Sequence, residues 1–162
     1  MTIAVGSRLP DATLLRIGTN GPEPVALSSL LAGRKVVIFG FPGAFTGTCT
    51  TAHVPSFIRT KAAFDAKGVD EIIGVAVNDP AVMARFGEST GATAAGLTML
   101  ADAASELTTA IGMNFDAPAA GFYARSRRYA AYVVDGVVMH LSEPEKSGMC
   151  ETSSGEAMLD VI

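Results

Sequence analysis

Apolar residues in this chain cluster in short runs whose spacing switches between two periods. "RKVVIFGF" (34–41) and "EIIGVAVN" (71–78) are continuous, β-branched and of strand length. That pattern fits strands buried on both faces. Between them, Val54, Phe57, Ile58 and Ala62 recur at helical spacing, which predicts a helix from about Thr48 to Lys67 that stops at Gly68. "NDPAVMARFGEST" predicts another, with Asp79 as N-cap and Pro80 in the first helical position. Ahead of these, "ATLLRI" reads as a short strand or part of a hairpin, and "PVALSSLLAG" as a short helical turn closed by Gly33. Beyond them, "LTMLAD" reads as a strand, "SELTTAIGM" as a helix, and "RYAAYVVDGVVMHL" as a hairpin turning at Asp135 and Gly136. "SSGEAMLDVI" reads as a short terminal helix with its own capping residues. Strand and helix alternate early and a hairpin comes late, which predicts an α/β fold: a mixed sheet with helices on both faces.

Size and composition narrow this further. A chain of 162 residues with 49% hydrophobic content suits one domain, 1–162, with a substantial core. No repeat or linker-like tract divides it. The net charge of −4 and the scattered basic residues, apart from "RSRR" at 125–128, argue against nucleic acid as a partner. No apolar run is long enough to span a membrane, and the start "MTIAVGSRLPD" has no charged region followed by a long apolar one. The expectation is a cytoplasmic protein, in which two cysteines are either packed and inert or chemically active.

Cys49 lies in "FPGAFTGTCTTAHVP", where a buried strand gives way to a helix. A cysteine in the first turn of a helix feels the positive end of the dipole and unpaired N–H groups, and both favour thiolate over thiol. A small buried hydrophobe is the competing role. Gly40, Gly43 and Gly47 suggest a phosphate cradle, but no lysine stands between Lys35 and Lys61, as a P-loop would require. Cys49 and His53 share a helix face, yet two residues do not make a metal site, and His140 lies in a distant strand. A Cys-His hydrolase is disfavoured, because its base usually comes from a separate element, so His53 reads as a surface or packing residue. Pro55 removes a helix N–H and weakens the turn that carries Cys49. Arg125 and Arg127 read as a solvated loop. Arg128, next to "YAAYVV", is placed to enter the sheet, where an arginine needs an anionic partner; a thiolate and the oxygen leaving it would suffice.

With those residues assembled, the sequence resembles a peroxiredoxin of the type-five group, called type II in plants, over essentially its whole length. "PGAFTGTC" followed by "HVP" is similar to that group's P-G-A-F-T-P-T-C with H-x-P after it, and "RSRRYA" resembles its later arginine motif. The resemblance implies a thioredoxin-like fold and a thiol-dependent peroxidase that uses neither cofactor nor metal. Hydrogen peroxide or an alkyl hydroperoxide would be the substrate, thioredoxin, glutaredoxin or glutathione the reductant, and a homodimer the assembly. Carried onto this chain, it makes Cys49 the peroxidatic nucleophile and Thr46 the hydroxyl that bonds sulfur and peroxide. Pro42 becomes the ring shielding the pocket and Arg128 the charged stabiliser. Cys150, in the polar stretch "SEPEKSGMCETSSGEAML", resembles the resolving cysteine of atypical two-cysteine members, which close the disulfide within one chain. Gly47 departs from the group's proline, and Phe86 from a common tryptophan. The alternatives are a one-cysteine cycle resolved by glutathione or glutaredoxin, and a thioredoxin-like redox-sensing or chaperone protein. A disulfide oxidoreductase would want C-x-x-C, but Thr46 and Ala52 stand at the two positions that could complete it.

Overall fold

The computed structural model describes residues 2–144 and 150–162, with Cys49 through its backbone. The chain opens with an antiparallel hairpin, β1 (Thr13–Gly18) and β2 (Gly21–Ala26), followed by the short helix α1 (Leu27–Leu31). The first buried run forms β3 (Lys35–Gly40). After a loop, a wide turn of π type, Cys49–His53, leads into α2 (Val54–Ala66). Next come β4 (Glu71–Ala76), α3 (Pro80–Thr90), β5 (Thr98–Ala101) and α4 (Glu106–Ala110). The last part comprises β6 (Asn114–Ala117), β7 (Phe122–Ser126), β8 (Tyr129–Val134), β9 (Val137–Leu141) and α5 (Gly155–Leu159).

Among the described residues, seven strands form one sheet in the order β2-β1-β5-β4-β3-β8-β9. β3, β4 and β5 run parallel, while β1 against β5, β3 against β8, and β8 against β9 are antiparallel. This is the mixed α/β sheet that the alternation predicts. Side chains of β3 go to opposite faces in turn: Val37 and Phe39 pack with Phe57 and Phe64 of α2, Met83 and Phe86 of α3, and Met158 of α5. Val36 and Ile38 pack with Leu27 and Leu31 of α1 and Leu107 of α4. Both faces are therefore covered, which is why the central strands read as unbroken apolar runs.

Local signals hold where they were read. The Asp79 carboxylate accepts from the Val82 N–H at 2.8 Å, and the Ser154 hydroxyl accepts from the Ala157 N–H at 3.1 Å, each capping its helix. Asp135 and Gly136 take left-handed φ values of 47° and 79°, as a tight hairpin turn between twisted strands demands.

Two features differ from expectation. The helix foreseen over 48–67 is not one regular element, because Cys49–His53 winds more widely than α2. Pro55, the second residue of α2, supplies no N–H to the ladder. The second difference is a separate two-stranded sheet, β6 with β7, so Arg125 belongs to a strand and not to a solvated loop. The polar-stretch reading around Cys150 includes 145–149, which lie outside the described residues.

Candidate active site

β3 and β8 set the frame of the site. Gly40 pairs with Tyr129, so one register step further places Arg128 opposite Phe41, where the chain leaves the sheet for the Cys49 loop. Pro42, Thr46 and the start of the wide turn follow within eight residues of Phe41.

The loop is fastened from two sides. Arg125 donates from Nη1 to the Pro42 carbonyl at 3.0 Å, with its guanidinium over the Phe122 ring at 5.0 Å from the centroid. Asn78, just past β4, accepts from the Ala44 N–H through Oδ1 at 2.9 Å. Gly43 lies between these two clamps, and a Cβ there would run into the Arg125 guanidinium. Phe45 follows with φ of 64°, a conformation that costs a bulky residue about 1–2 kcal/mol. Phe45 is 56% exposed, and its ring meets Phe86 edge to face at 5.1 Å. Phe86 is buried and also packs on Phe41 at 5.6 Å, so it supports the loop from below.

Thr46 closes the loop on itself: its hydroxyl donates to the Gly43 carbonyl at 2.7 Å, and its carbonyl accepts from the Thr50 N–H at 3.1 Å. A hydroxyl carries one proton, so in this arrangement the Thr46 oxygen offers lone pairs to a further donor. At Gly47 φ is outside the left-handed region and the space around a Cβ is open, so neither backbone nor packing demands glycine.

Arg128 is 2% exposed and donates from Nη1 to Nδ1 of His53 at 3.0 Å. His53 is fully buried, and Nε2 lies 3.0 Å from the carbonyl oxygen of Ser153. A guanidinium only donates and a carbonyl only accepts, so the ring is neutral with its proton on Nε2. Burial, reinforced by the charge of Arg128 and opposed in part by the Ser153 carbonyl, holds the His53 pKa down to about 3. Because a solvated histidine titrates near 6.5, the unfolded chain binds this proton first. His53 therefore contributes its full stability above pH 6.5, and that contribution fades as the pH falls from 6.5 toward 3. Thermal or urea unfolding at pH 7 and pH 5 should show a loss of about 2 kcal/mol from this residue. His53→Gln should remove that part of the pH dependence.

Of the two roles read for His53, surface or packing, the buried one holds, with Arg128 as its partner. Arg125 was misplaced by sequence reasoning, since it is a clamp on the loop. Arg127 is exposed, as expected. Cys150 is half-buried and stands three residues ahead of Ser153, in the segment that reaches His53.

The comparisons agree with this picture. A family model described as Redoxin matches residues 4–159. The chain is 46% identical over 165 residues to Peroxiredoxin-2E-2, chloroplastic, of Oryza sativa subsp. japonica, covering 99% of this chain and 73% of that one. It is 39% identical over 165 residues to Peroxiredoxin-2E, chloroplastic, of Arabidopsis thaliana, covering 99% and 70%. Among solved structures it is similar to reduced Prx3 in complex with H2O2 from Vibrio vulnificus, with a TM-score of 0.90, 41% identity and 98% of each chain covered. The names of the two plant relatives correct the cytoplasmic expectation, since both point to a plastid.

Proposed function

Because the chain belongs to the redoxin family and is a peroxiredoxin, a thiol-dependent peroxidase with a thioredoxin-like fold, we propose that Cys49 is its nucleophile and Cys150 the resolving thiol. Residues 1–162 act as one domain in this reading. The observation that carries it is the buried Arg128 bonded to His53, the last residue of the turn that begins at Cys49. It joins a cation from the far hairpin to the loop that bears the cysteine.

The Cys49 thiolate attacks the nearer oxygen of hydrogen peroxide or an alkyl hydroperoxide, and the O–O bond breaks. The sulfur gains the hydroxyl and becomes a sulfenic acid, while the other oxygen leaves as hydroxide or alkoxide and takes a proton to become water or alcohol. Arg128 and the N–H groups of the turn stabilise charge moving onto the leaving oxygen. Thr46 accepts a hydrogen bond from the peroxide, and the Pro42 ring shields the pocket. Cys150 then displaces hydroxide from the sulfenic sulfur, releasing water and forming a disulfide within the chain. Two external thiols from thioredoxin, glutaredoxin or glutathione restore the dithiol. A homodimer is the assembly we propose, with the exposed Phe45 beside the pocket as a supporting feature.

The reduced protein treated with one equivalent of hydrogen peroxide should give, by non-reducing peptide mass spectrometry, a single intramolecular bond between Cys49 and Cys150. A lasting sulfenic acid, or a glutathione adduct formed in preference to that bond, would replace the resolving role with a one-cysteine cycle.

The clamp on the loop gives a further expectation. Arg125→Met keeps an apolar stem over Phe122 and loses the bond to Pro42, which should lower kcat/KM for peroxide about tenfold, as slight misplacement of reacting groups does. Gly43→Ala should do the same by pushing the guanidinium aside. Combining the two should cost no more than either alone, since both remove one contact.

A further inference from the structure

The C-terminal segment is anchored at two points, one on the turn that begins at Cys49 and one on α2. His53 takes the Ser153 carbonyl at 3.0 Å through Nε2. Three residues later, the Ser56 hydroxyl accepts from the Gly155 N–H at 2.9 Å while donating to the His53 carbonyl at 2.6 Å. The approach is close: a Cβ on Gly155 would strike the Thr60 hydroxyl and lie 2.6 Å from the Ser56 carbonyl. Ser153 and Gly155 are both buried against α2.

These anchors belong to different structures. Ser56 is part of α2, which also holds α5 through Arg59 and Glu156 at 2.8 Å and through Met158 in the core. His53 ends the wide turn that starts at Cys49, just ahead of the N–H missing at Pro55. Local unwinding from Cys49 as far as Pro55 would break the first anchor and spare the second. It would also take away one acceptor of Arg128, because one ring serves both partners.

We propose that His53 is a positioning residue that couples the two chemical steps. While the Cys49 turn is folded it fixes Arg128 at the pocket and keeps Ser153 docked, and when the turn unwinds it releases both. The segment carrying Cys150 then moves about the Ser56–Gly155 anchor. This rests on the roles given above to Cys49 and Cys150. The ring serves as a two-sided connector only as the neutral Nε2–H tautomer, since a protonated ring would turn a donor toward the guanidinium.

Two variants of the full chain separate this from simple packing. Glutamine offers the same pair of groups, an oxygen for Arg128 and an N–H for Ser153, whereas leucine fills space alone. Stopped-flow after one equivalent of hydrogen peroxide gives the rate of Cys49 oxidation and then of disulfide closure. Amide hydrogen exchange over 150–154 reports docking without any redox chemistry. His53→Leu should slow oxidation about tenfold, accelerate closure and accelerate exchange. His53→Gln should return all three toward wild type. His53→Met serves if leucine impairs folding. Ser56→Ala should accelerate exchange in α5 and leave the oxidation rate unchanged. The proposal fails if His53→Leu leaves closure and exchange at their wild-type rates, if glutamine does no better than leucine, or if Ser56→Ala slows oxidation as much as His53→Leu does. A wild-type protein that forms no disulfide would refute the resolving role of Cys150, while the oxidation and exchange rates would still decide whether His53 holds Arg128 and Ser153 together.

Discussion

Replacing Cys49 by serine should reduce peroxide consumption to the background of the buffer and dithiol, while the protein stays folded. The loss follows from the chemistry of the nucleophile. A thiol sheds its proton near neutral pH, and the resulting sulfur anion attacks oxygen readily. A serine hydroxyl at the same place stays protonated and forms no stable oxidised product. The fold tolerates the exchange because serine has nearly the same size and position 49 is the first residue of a turn whose neighbours supply the packing: Val54 and Phe57 are fully buried beyond it. Peroxide consumption with reductant, read beside a thermal melt, checks both halves. Substantial turnover in the variant would move the chemistry to Cys150 or elsewhere.

Arg128→Leu should slow oxidation of Cys49 by roughly a hundredfold to a thousandfold, the scale of removing one donor aimed at developing negative charge. Its position explains the size. The side chain is 2% exposed, so its charge acts where water screens it little. Lysine should restore only part of the rate, because a point charge on a flexible stem cannot reproduce the planar fork that holds His53 through Nη1. Stability should fall as well, by about 1–3 kcal/mol, since Nδ1 of His53 loses its donor in a buried place. Stopped-flow oxidation rates and urea unfolding separate the two losses.

The sheet was readable in advance because each central strand is buried on both faces, so β3 and β4 stand out as apolar runs with helical patterns between them. Asp79 and the Asp135–Gly136 turn were readable because their signals are local. β6 and β7 were not: "NFDAPAAGFYARS" alternates half-buried and exposed positions weakly and is broken by Pro118 and Gly121. The chemistry divides along the same line. Pro42, Thr46 and Cys49, the residues proposed for the chemistry, follow one another within eight positions, so a contiguous motif suggests them together. His53 and Arg125 act through partners 75, 100 and 83 residues away, two of them backbone carbonyls that have no residue signature. One signal for His53 did exist. An arginine entering the sheet needs an acceptor, and a histidine four residues from the cysteine is a natural one. The wide turn was half visible, since Pro55 announced a weakened ladder but not its wider winding.

The most direct test of the account is the second-order rate constant for the reduced protein with hydrogen peroxide, followed by stopped-flow at neutral pH under one-equivalent conditions. Cys49 should react faster than free cysteine by at least about a hundredfold, the scale of a single well-placed donor to the leaving oxygen. A rate equal to that of free cysteine would contradict the assignment of this loop, and of Arg128, to peroxide reduction.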